Sequence, residues 1–270
     1  SVDSNLKNPR SIAVTKEGGI YYADTNGKEI LFITPEGNYA GVADVGKNIT
    51  GLALDNDTLY VSFEDTIAKV DPDGTLIPAI QNLDNPNLYA ICNNMVCFTQ
   101  PDGVYITRLS ATVQPDETPV PQIPDSLEEP EFSSDMNKVS DSSSSCRIDE
   151  KGSVFIAIYA EGTVVRINPD GEETVYVSGI DRPRFPILDS AGNLYVGSYD
   201  GTIQQYAPDG TKKILASGIW SPQGMALDAD ENLYVAGAYD GKIYRITKSG
   251  TITSVDSNLK NPRSIAVTKE

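Results

Sequence analysis

Short hydrophobic runs separated by polar turns recur along the whole chain. Each unit begins with an apolar triplet, passes through a turn rich in Asp, Asn and Gly, and enters a second apolar run, as in SIAVTKEGGIYYAD from Ser11 and QGMALDADENLYVA from Gln223. Helical periodicity is absent, whereas paired apolar runs joined by such turns are typical of β-hairpins. The pattern therefore predicts an all-β chain.

The unit occurs six times. Its triplets end at Val14, Leu54, Ile91, Ile148, Leu188 and Leu227. A third run (KIYRI, 242–246), a second turn (NPDGE, 168–172) and a weaker fourth run complete each unit. Four antiparallel strands in about forty residues are typical of a propeller blade. We predict one six-bladed β-propeller domain over residues 1–270, with blades near 10–48, 49–86, 87–142, 143–181, 182–220 and 221–260.

The amino-acid sequence of the units resembles that of the NHL-repeat and SMP-30/gluconolactonase-like group of six-bladed propellers. Residues 221–250, SPQGMALDADENLYVAGAYDGKIYRITKSG, carry most of the resemblance, and residues 182–210 support it. It covers essentially the whole chain outside residues 111–142. The resemblance implies the fold but little about activity, because propellers host many functions.

The third unit is longer than the others because of an acidic, proline-rich insertion near residues 111–142. Between residues 111 and 141 the sequence has five prolines, eight acids and one lysine. Such a composition buries too little apolar surface to order itself, which favours a surface loop between blades 3 and 4. The alternative is a lid or a loop that docks a partner, because long irregular loops are often functional.

Charge and composition exclude several classes of function. The 38 acidic and 21 basic residues leave a net charge of −17, which disfavours nucleic acid and anionic membrane surfaces as partners. No apolar run approaches the length of a membrane span. The chain has no histidine, which excludes Ser-His-Asp and Cys-His catalysis and histidine-ligated zinc. The streptogramin-lyase relatives of this fold use a catalytic histidine, so that activity is excluded as well.

The three cysteines, Cys92, Cys97 and Cys146, are too few for a four-cysteine metal site. Cys92 and Cys97 flank an Asn93–Asn94 turn, so a disulfide across that hairpin is one interpretation. Buried free thiols are the favoured alternative. No signal peptide is visible in this chain. We nevertheless expect an extracellular or periplasmic location.

The residue two before each triplet should face the mouth of the central channel. These residues are Arg10, Thr50, Asn87, Ser144, Arg184 and Gln223. In the SMP-30-like relatives, carboxylates and amides at such positions hold calcium, which needs six to eight oxygen ligands. This chain has two arginines and no carboxylate there, so the resemblance does not extend to the metal site. Asp24 is the one acid to check as a displaced ligand.

The arginines at the mouth allow two interpretations. Arg10 and Arg184 form an anion pocket, since guanidinium pairs bidentately with carboxylate or phosphate, and Tyr199 and Tyr239 line the same mouth. Alternatively, both arginines hold blades together by bonding carbonyls or acids. We predict no catalytic residues and no cofactor. If the protein does bind a cofactor, the candidate is Ca²⁺.

The predicted function is a non-catalytic binding or interaction scaffold. Its partner is a protein or a small anionic ligand, contacted at the channel mouth and loops. The alternative is a calcium-dependent lactonase or esterase of the SMP-30 kind with an atypical metal site.

The two ends of the chain are identical. Residues 1–17 and 254–270 both read SVDSNLKNPRSIAVTKE, which spans the end of the blade 6 outer strand and the blade 1 inner strand. A ring has one such slot, so one copy is surplus. Three explanations stay open: deliberately overlapping ends, as in a permuted protein, one unit of a tandem array, or a strand that enters a neighbouring chain. We predict that only one copy fills the slot, and that the mouth contact is then Arg10 or Arg263.

Overall fold

The computed structural model describes residues 11–15, 17–23, 28–109, 136–140, 145–149 and 151–257, together with residues 259, 262, 265 and 267. Within these residues the chain forms six antiparallel sheets of four strands and no α-helix. Each sheet is one blade, and its strands follow one another in chain order from the channel outwards. The predicted all-β, six-bladed propeller is therefore confirmed. This described part also contains no helix that could cross a membrane.

The strand bounds follow the hydrophobic runs of the sequence. Blades 1 to 3 comprise β1 (Ile12–Val14), β2 (Ile20–Ala23), β3 (Glu29–Ile33), β4 (Tyr39–Asp44), β5 (Ile49–Asp55), β6 (Thr58–Phe63), β7 (Thr66–Val70), β8 (Leu76–Ile80), β9 (Asn87–Cys92), β10 (Met95–Gln100), β11 (Gly103–Arg108) and β12 (Asn137–Ser140). Blades 4 to 6 comprise β13 (Cys146–Ile148), β14 (Val154–Ile158), β15 (Thr163–Ile167), β16 (Glu173–Val177), β17 (Arg184–Leu188), β18 (Leu194–Gly197), β19 (Ile203–Tyr206), β20 (Lys212–Ala216), β21 (Pro222–Leu227), β22 (Leu233–Gly237), β23 (Lys242–Ile246) and β24 (Ile252–Asp256).

The turns between strands use the polar residues that the sequence places there. Asn93 and Asn94 have φ values of 51° and 63°, as a two-residue hairpin turn of the primed kind requires. In the last blade the Asp228 carboxylate accepts a hydrogen bond from the main-chain nitrogen of Asn232 at 2.7 Å. Asp149 and Asp189 hold the corresponding turns of blades 4 and 5 in the same way. These turn acids therefore have a structural role.

Hydrophobic clusters join neighbouring blades. One cluster lies between each of the pairs 1–2, 2–3, 3–4, 4–5 and 5–6. The innermost strands of these neighbours also contact one another. No such cluster joins blade 6 to blade 1 within the residues that the structure describes. The core is thus a series of interfaces between blades, of which five are observed.

Beyond the outer strands of blades 1, 2, 4, 5 and 6 the chain makes a repeated contact. An apolar residue donates its main-chain N–H to a carbonyl in the turn between the second and third strands of the blade it has just left. The donors are Val45, Leu83, Ile180, Ile219 and Leu259. The first four are buried, and the contact fixes the direction in which the chain enters the next blade.

The insertion lies within blade 3, and the prediction of a loop through residue 141 between blades 3 and 4 is wrong for residues 137–140. These residues form β12, which pairs with β11 as the outer strand of blade 3. Val139 packs against the cluster between blades 3 and 4, which gives this strand an apolar anchor. Residues 110–135 lie outside the described part of the chain, so the lid or docking role of the insertion stays a prediction.

The cysteine interpretations are also corrected. Cys97 forms a disulfide with Cys146 across a sequence separation of 49 residues. Within the hairpin, Cys97 is paired with Ala90 and Cys92 with Met95, so the two hairpin cysteines are not opposite each other. Cys97 instead lies in the cluster between blades 3 and 4, where Cys146 of β13 also packs. The disulfide therefore links neighbouring blades.

Candidate functional site

The residues predicted for the channel mouth lie, where the structure describes them, at the starts of innermost strands. Arg184 and Asn87 are the first residues of β17 and β9, while Thr50 and Gln223 are the second residues of β5 and β21. All four side chains are half-buried. Arg10, Ser144, Asp24 and Arg263 lie outside the described residues. The described part of the candidate site therefore comprises residues of blades 2, 3, 5 and 6 and neighbouring elements of blade 4.

Thr50 has local structural contacts in this mouth. Its hydroxyl lies 2.9 Å from the hydroxyl of Ser62 and within hydrogen-bond distance of the carbonyl oxygens of Ser62 and Pro86. Because Pro86 leads into blade 3, these bonds tie blade 2 to its neighbour. Gln223 makes one long contact, from its Nε2 to the hydroxyl of Ser221 at 3.4 Å. Asn87 pairs through its backbone with Thr99.

Arg184 lies against an aromatic ring and retains an unmet donor. The centre of its guanidinium is 5.1 Å from the ring centroid of Tyr159, a cation–π distance. Its Nε is buried and has no hydrogen-bond partner among the residues that the structure describes. Burial raises the pKa of Tyr89 on β9, and the positive charge of Arg184 opposes that rise. A buried donor without an acceptor is unfavourable, and an anion at this place would satisfy it.

Arg182 extends the cationic surface toward solvent. Its guanidinium lies 3.5 Å from the ring centroid of Tyr199 and 5.9 Å from that of Tyr159. A hydrogen bond to Asp181, at 3.1 Å from Nε to Oδ1, raises the pKa of Arg182, and a bond to Tyr159 adds to the rise. Tyr159 thus contacts both arginines, and the four side chains Tyr159, Arg182, Arg184 and Tyr199 form what we call the Arg–Tyr cluster.

The backbone that carries the Arg–Tyr cluster is unusual. Arg182 and Phe185 have φ values of 46° and 49°, a region that non-glycine residues rarely adopt. The pairing of β17 with β18 shifts register between Arg184 and Ile187, and such bulges re-aim side chains. The N–H of Phe185 donates to the hydroxyl of Ser145 on blade 4 at 2.5 Å. This bond fixes the start of β17 against the neighbouring blade.

Three exposed aromatic side chains lie in blades 5 and 6, beyond their second or outer strands. Tyr199 and Tyr239, both predicted to line the mouth, are exposed at the ends of β18 and β22. Trp220 is exposed as well and packs within 3.5 Å of the position that a Cβ on Gly201 would occupy. The structure brings Tyr199 to Arg182, whereas Tyr239 is almost fully exposed.

Sequence analysis missed Tyr159, Arg182 and Trp220. Tyr159 follows the second strand of blade 4 as Tyr199 and Tyr239 follow those of blades 5 and 6, so the alignment contained the signal. Arg182 was visible in the RPRF segment that also supplies Arg184. These residues come into contact through the packing of neighbouring blades, and no local sequence pattern indicates that packing.

Arg147 places a further positive charge on an inner strand. It occupies the middle of the blade 4 triplet, where the other blades carry Ala13, Ala53, Ala90, Ile187 and Ala226. Its side chain is accessible to solvent, yet desolvation by surrounding protein lowers the pKa of its guanidinium. That combination fits a side chain lying within a narrow channel. No group of three or more Asp, Glu, Cys or His side chains able to hold a metal occurs among the described residues.

Comparison with known proteins identifies the fold only. No family model and no curated protein matches the chain. Among solved structures, virginiamycin B lyase from Staphylococcus aureus is similar with a TM-score of 0.71 and 15% identity, over 98% of this chain and 90% of the lyase. A catalytically inactive histidine-to-alanine variant of that lyase with quinupristin gives the same TM-score and identity, over 98% and 91%.

Two further structures are similar to the chain. Kuenenia stuttgartiensis hydrazine synthase has a TM-score of 0.70 and 13% identity, over 99% of this chain and 91% of the other. The extracellular domain of a hybrid two-component system from B. thetaiotaomicron has a TM-score of 0.59 and 17% identity, over 95% and 37%. At these identities the likeness shows a shared propeller fold, and membership of the NHL or SMP-30 group stays a prediction from sequence.

Proposed function

We propose that this propeller is a binding scaffold that captures an anionic group at its channel mouth and performs no chemistry on it. Arg184 is the principal contact. The observation that carries the proposal is its buried Nε, which has no hydrogen-bond partner in the described part of the chain although the guanidinium lies against Tyr159. Arginine presents several donors in a fixed fork, so a carboxylate or phosphate oxygen is the matching acceptor.

The surroundings favour an anion at this mouth despite the overall charge. The chain carries −17 in total, yet Arg182 and Arg184 both lie within 6 Å of the ring centroid of Tyr159, at 5.9 and 5.1 Å. Their rings, Tyr159 and Tyr199, restrict both guanidinium groups before a ligand arrives, which lowers the entropy lost on binding. The exposed Trp220 and Tyr239 supply aromatic surface of the kind enriched in binding sites. The anionic group belongs to a small ligand or to a protein partner.

The calcium-dependent lactonase or esterase alternative gains no support from the described residues. None of Thr50, Asn87, Arg184 and Gln223 is a carboxylate, and calcium is bound mainly by carboxylate and carbonyl oxygens. Virginiamycin B lyase is inactive when one of its histidines is replaced by alanine, and this chain has no histidine. The chemistry of that lyase is therefore not a model for the activity of this chain.

An extracellular or periplasmic location is part of the proposal. The disulfide between Cys97 and Cys146 supports it, because such bonds persist mainly in oxidising compartments. One propeller of similar fold is the extracellular domain of a two-component system.

Calorimetric titration with citrate and with inorganic phosphate tests the proposed site. We expect wild-type protein to bind at least one of these anions, and Arg184→Gln to weaken binding by about tenfold or more, since hydrogen bonds to charged groups contribute about 1.5–3 kcal/mol. Arg245→Gln is the matched control, because Arg245 lies on β23 near Asp228, away from the mouth. Binding of neither anion, or equal weakening by the two variants, would refute the site. Calcium binding with lactone turnover would instead establish the hydrolase alternative.

A further inference from the structure

The outer face of blade 6 is not covered as the equivalent faces of other blades are. Val255 on β24 is 50% exposed and Leu259 beyond it is 37% exposed. Their counterparts in blade 5, Leu215 and Ile219, are 6% and 1% exposed within the cluster shared with blade 6. Apolar side chains that are buried at one junction are thus open at the next.

Strand register establishes this equivalence. Ile243 pairs with Asp256 across β23 and β24, just as Ile203 pairs with Ala216 across β19 and β20, each next to a register shift. Val255 therefore occupies the place of Leu215. The hydrogen bond from Leu259 to the carbonyl of Gly241 likewise repeats that from Ile219 to Gly201. The geometry of blade 6 is regular, so the difference lies in what covers its outer face.

The opposing face of blade 1 is also incompletely covered. Ile12, Ile20 and Leu31 are half-buried. The corresponding residues of blade 2 include Leu52, Leu59 and Ala68, which are buried in the cluster with blade 1. Both sides of the seam between blades 6 and 1 therefore present apolar surface. Exposed apolar surface of this kind marks an interaction site.

The duplicated ends identify what fits this seam. Leu259 is held as at every other described crossover, so the chain leaves blade 6 toward the position of a next inner strand. The residues that follow include 264–267, which repeat 11–14, but β1 already pairs with β2 in blade 1. Ile265 and Val267 are half-buried, as are their counterparts Ile12 and Val14. A chain thus has two identical strands for one slot, and the C-terminal copy can take the place of residues 11–14 in its own chain or in another.

We propose that the seam is an interface between two copies of this chain. The C-terminal segment of one copy replaces residues 11–14 as the blade 1 inner strand of the other, and the blade 6 face of the first packs on the blade 1 face of the second. A slot that accepts residues 11–14 accepts residues 264–267 equally, because the sequences are identical, and exchange of identical elements has little energetic cost. This inference is independent of the anion site.

Light scattering coupled to size-exclusion chromatography tests the interface. We expect the full chain to have the mass of two or more copies, and removal of residues 258–270, which leaves β24 intact, to give one copy. Val255→Asp should also give single chains, because it places a charge in the apolar seam. Val175→Asp is the matched control: Val175 is 65% exposed on β16, the equivalent outer strand of blade 4, and its substitution should leave the mass unchanged.

A mixing experiment covers the case in which a variant unfolds. Two full-length preparations with different affinity tags are incubated together and purified through one tag. Recovery of the second tag, lost on removal of residues 258–270, supports exchange between copies. A full chain that is monomeric at every concentration, or an assembly that survives both the truncation and Val255→Asp, would overturn the proposal. Arg184→Gln should not change the mass, which separates this test from that of the anion site.

Discussion

Cys97, on the second strand of blade 3, is bonded to Cys146 on the innermost strand of blade 4. Both residues are buried in the hydrophobic cluster between these blades. The disulfide closes a loop that contains the long acidic insertion. The two blades are therefore held together whatever conformation the insertion adopts. The linkage explains how a propeller accommodates a large insertion without loss of the adjoining interface.

We expect removal of this disulfide to lower the free energy of unfolding by about 2–4 kcal/mol, because the unfolded chain regains the freedom of a long loop. Urea denaturation of the Cys97→Ala/Cys146→Ala variant measures the change. Cys92→Ala, which leaves the bridge intact, is the control and should cost less. Equal stability of wild type with and without reductant would contradict the prediction.

Acid should weaken the contact between blades 5 and 6 through Glu231. Its carboxylate bonds Lys248 at 2.6 Å and the main-chain nitrogen of Ser190 at 3.0 Å, and the bond to Lys248 is the main reason why its pKa falls from 4.5 to about 2. A carboxyl group with a lowered folded pKa stabilises the fold above its unfolded pKa, and this contribution disappears as the pH falls through the folded value.

Glu231→Gln should therefore be less stable than wild type at pH 6, with a gap that narrows between about pH 4.5 and pH 2. Thermal melts across this range measure it. Glu173→Gln, at an exposed position on β16, serves as the control and should show no such convergence. A gap that stays constant down to pH 2 would rule out the ion pair as its source.

Local patterns explain why the blades could be predicted from sequence. The turn at Asn93 and Asn94 and the Asp228 turn each form within a few residues, so their chemistry is visible in the chain itself. Six copies of one pattern of apolar runs and polar turns then determine the number of blades. Residues 137–140 were missed because their composition is that of a loop, and only pairing with β11 and packing of Val139 make them a strand.

Contacts between blades explain most of what could not be predicted. The partner of Cys97 lies 49 residues away on another blade, and hairpin spacing suggested Cys92 instead. Arg184 was predicted from its place at the mouth, but its neighbour Tyr159 belongs to blade 4. Contacts of this kind depend on how the sheets pack against each other, and the strand pattern of a single blade does not encode that packing.

Ser145→Ala should affect both stability and anion binding. The mutation leaves the N–H of Phe185 without its acceptor, which costs about 1–3 kcal/mol when the group is buried. Because Arg184 precedes Phe185, we also expect weaker citrate binding in calorimetry. Ser11→Ala combined with Ser264→Ala, its copy in the duplicated segment, is a matched control, since the Ser11 hydroxyl accepts the equivalent bond from the nitrogen of Leu52 at 2.8 Å between blades 1 and 2.

The control should lose stability comparably but bind citrate as wild type does. If Ser145→Ala and the control reduced citrate affinity equally, the loss would reflect general weakening of the ring rather than the position of Arg184.

Arg147→Ala should leave the protein as stable as wild type or more stable by up to about 1 kcal/mol. Alanine occupies this place in four other blades, and the substitution removes a charge that the surrounding protein desolvates. Arg166→Ala is the matched control. It should be destabilising, because Arg166 donates to the hydroxyl of Ser153 at 3.1 Å and lies 5.8 Å from the ring centroid of Phe155. Urea denaturation compares the two variants. A loss of more than about 1 kcal/mol for Arg147→Ala would mean that its charge is compensated in the folded ring, because removal of an uncompensated, desolvated charge does not destabilise a fold.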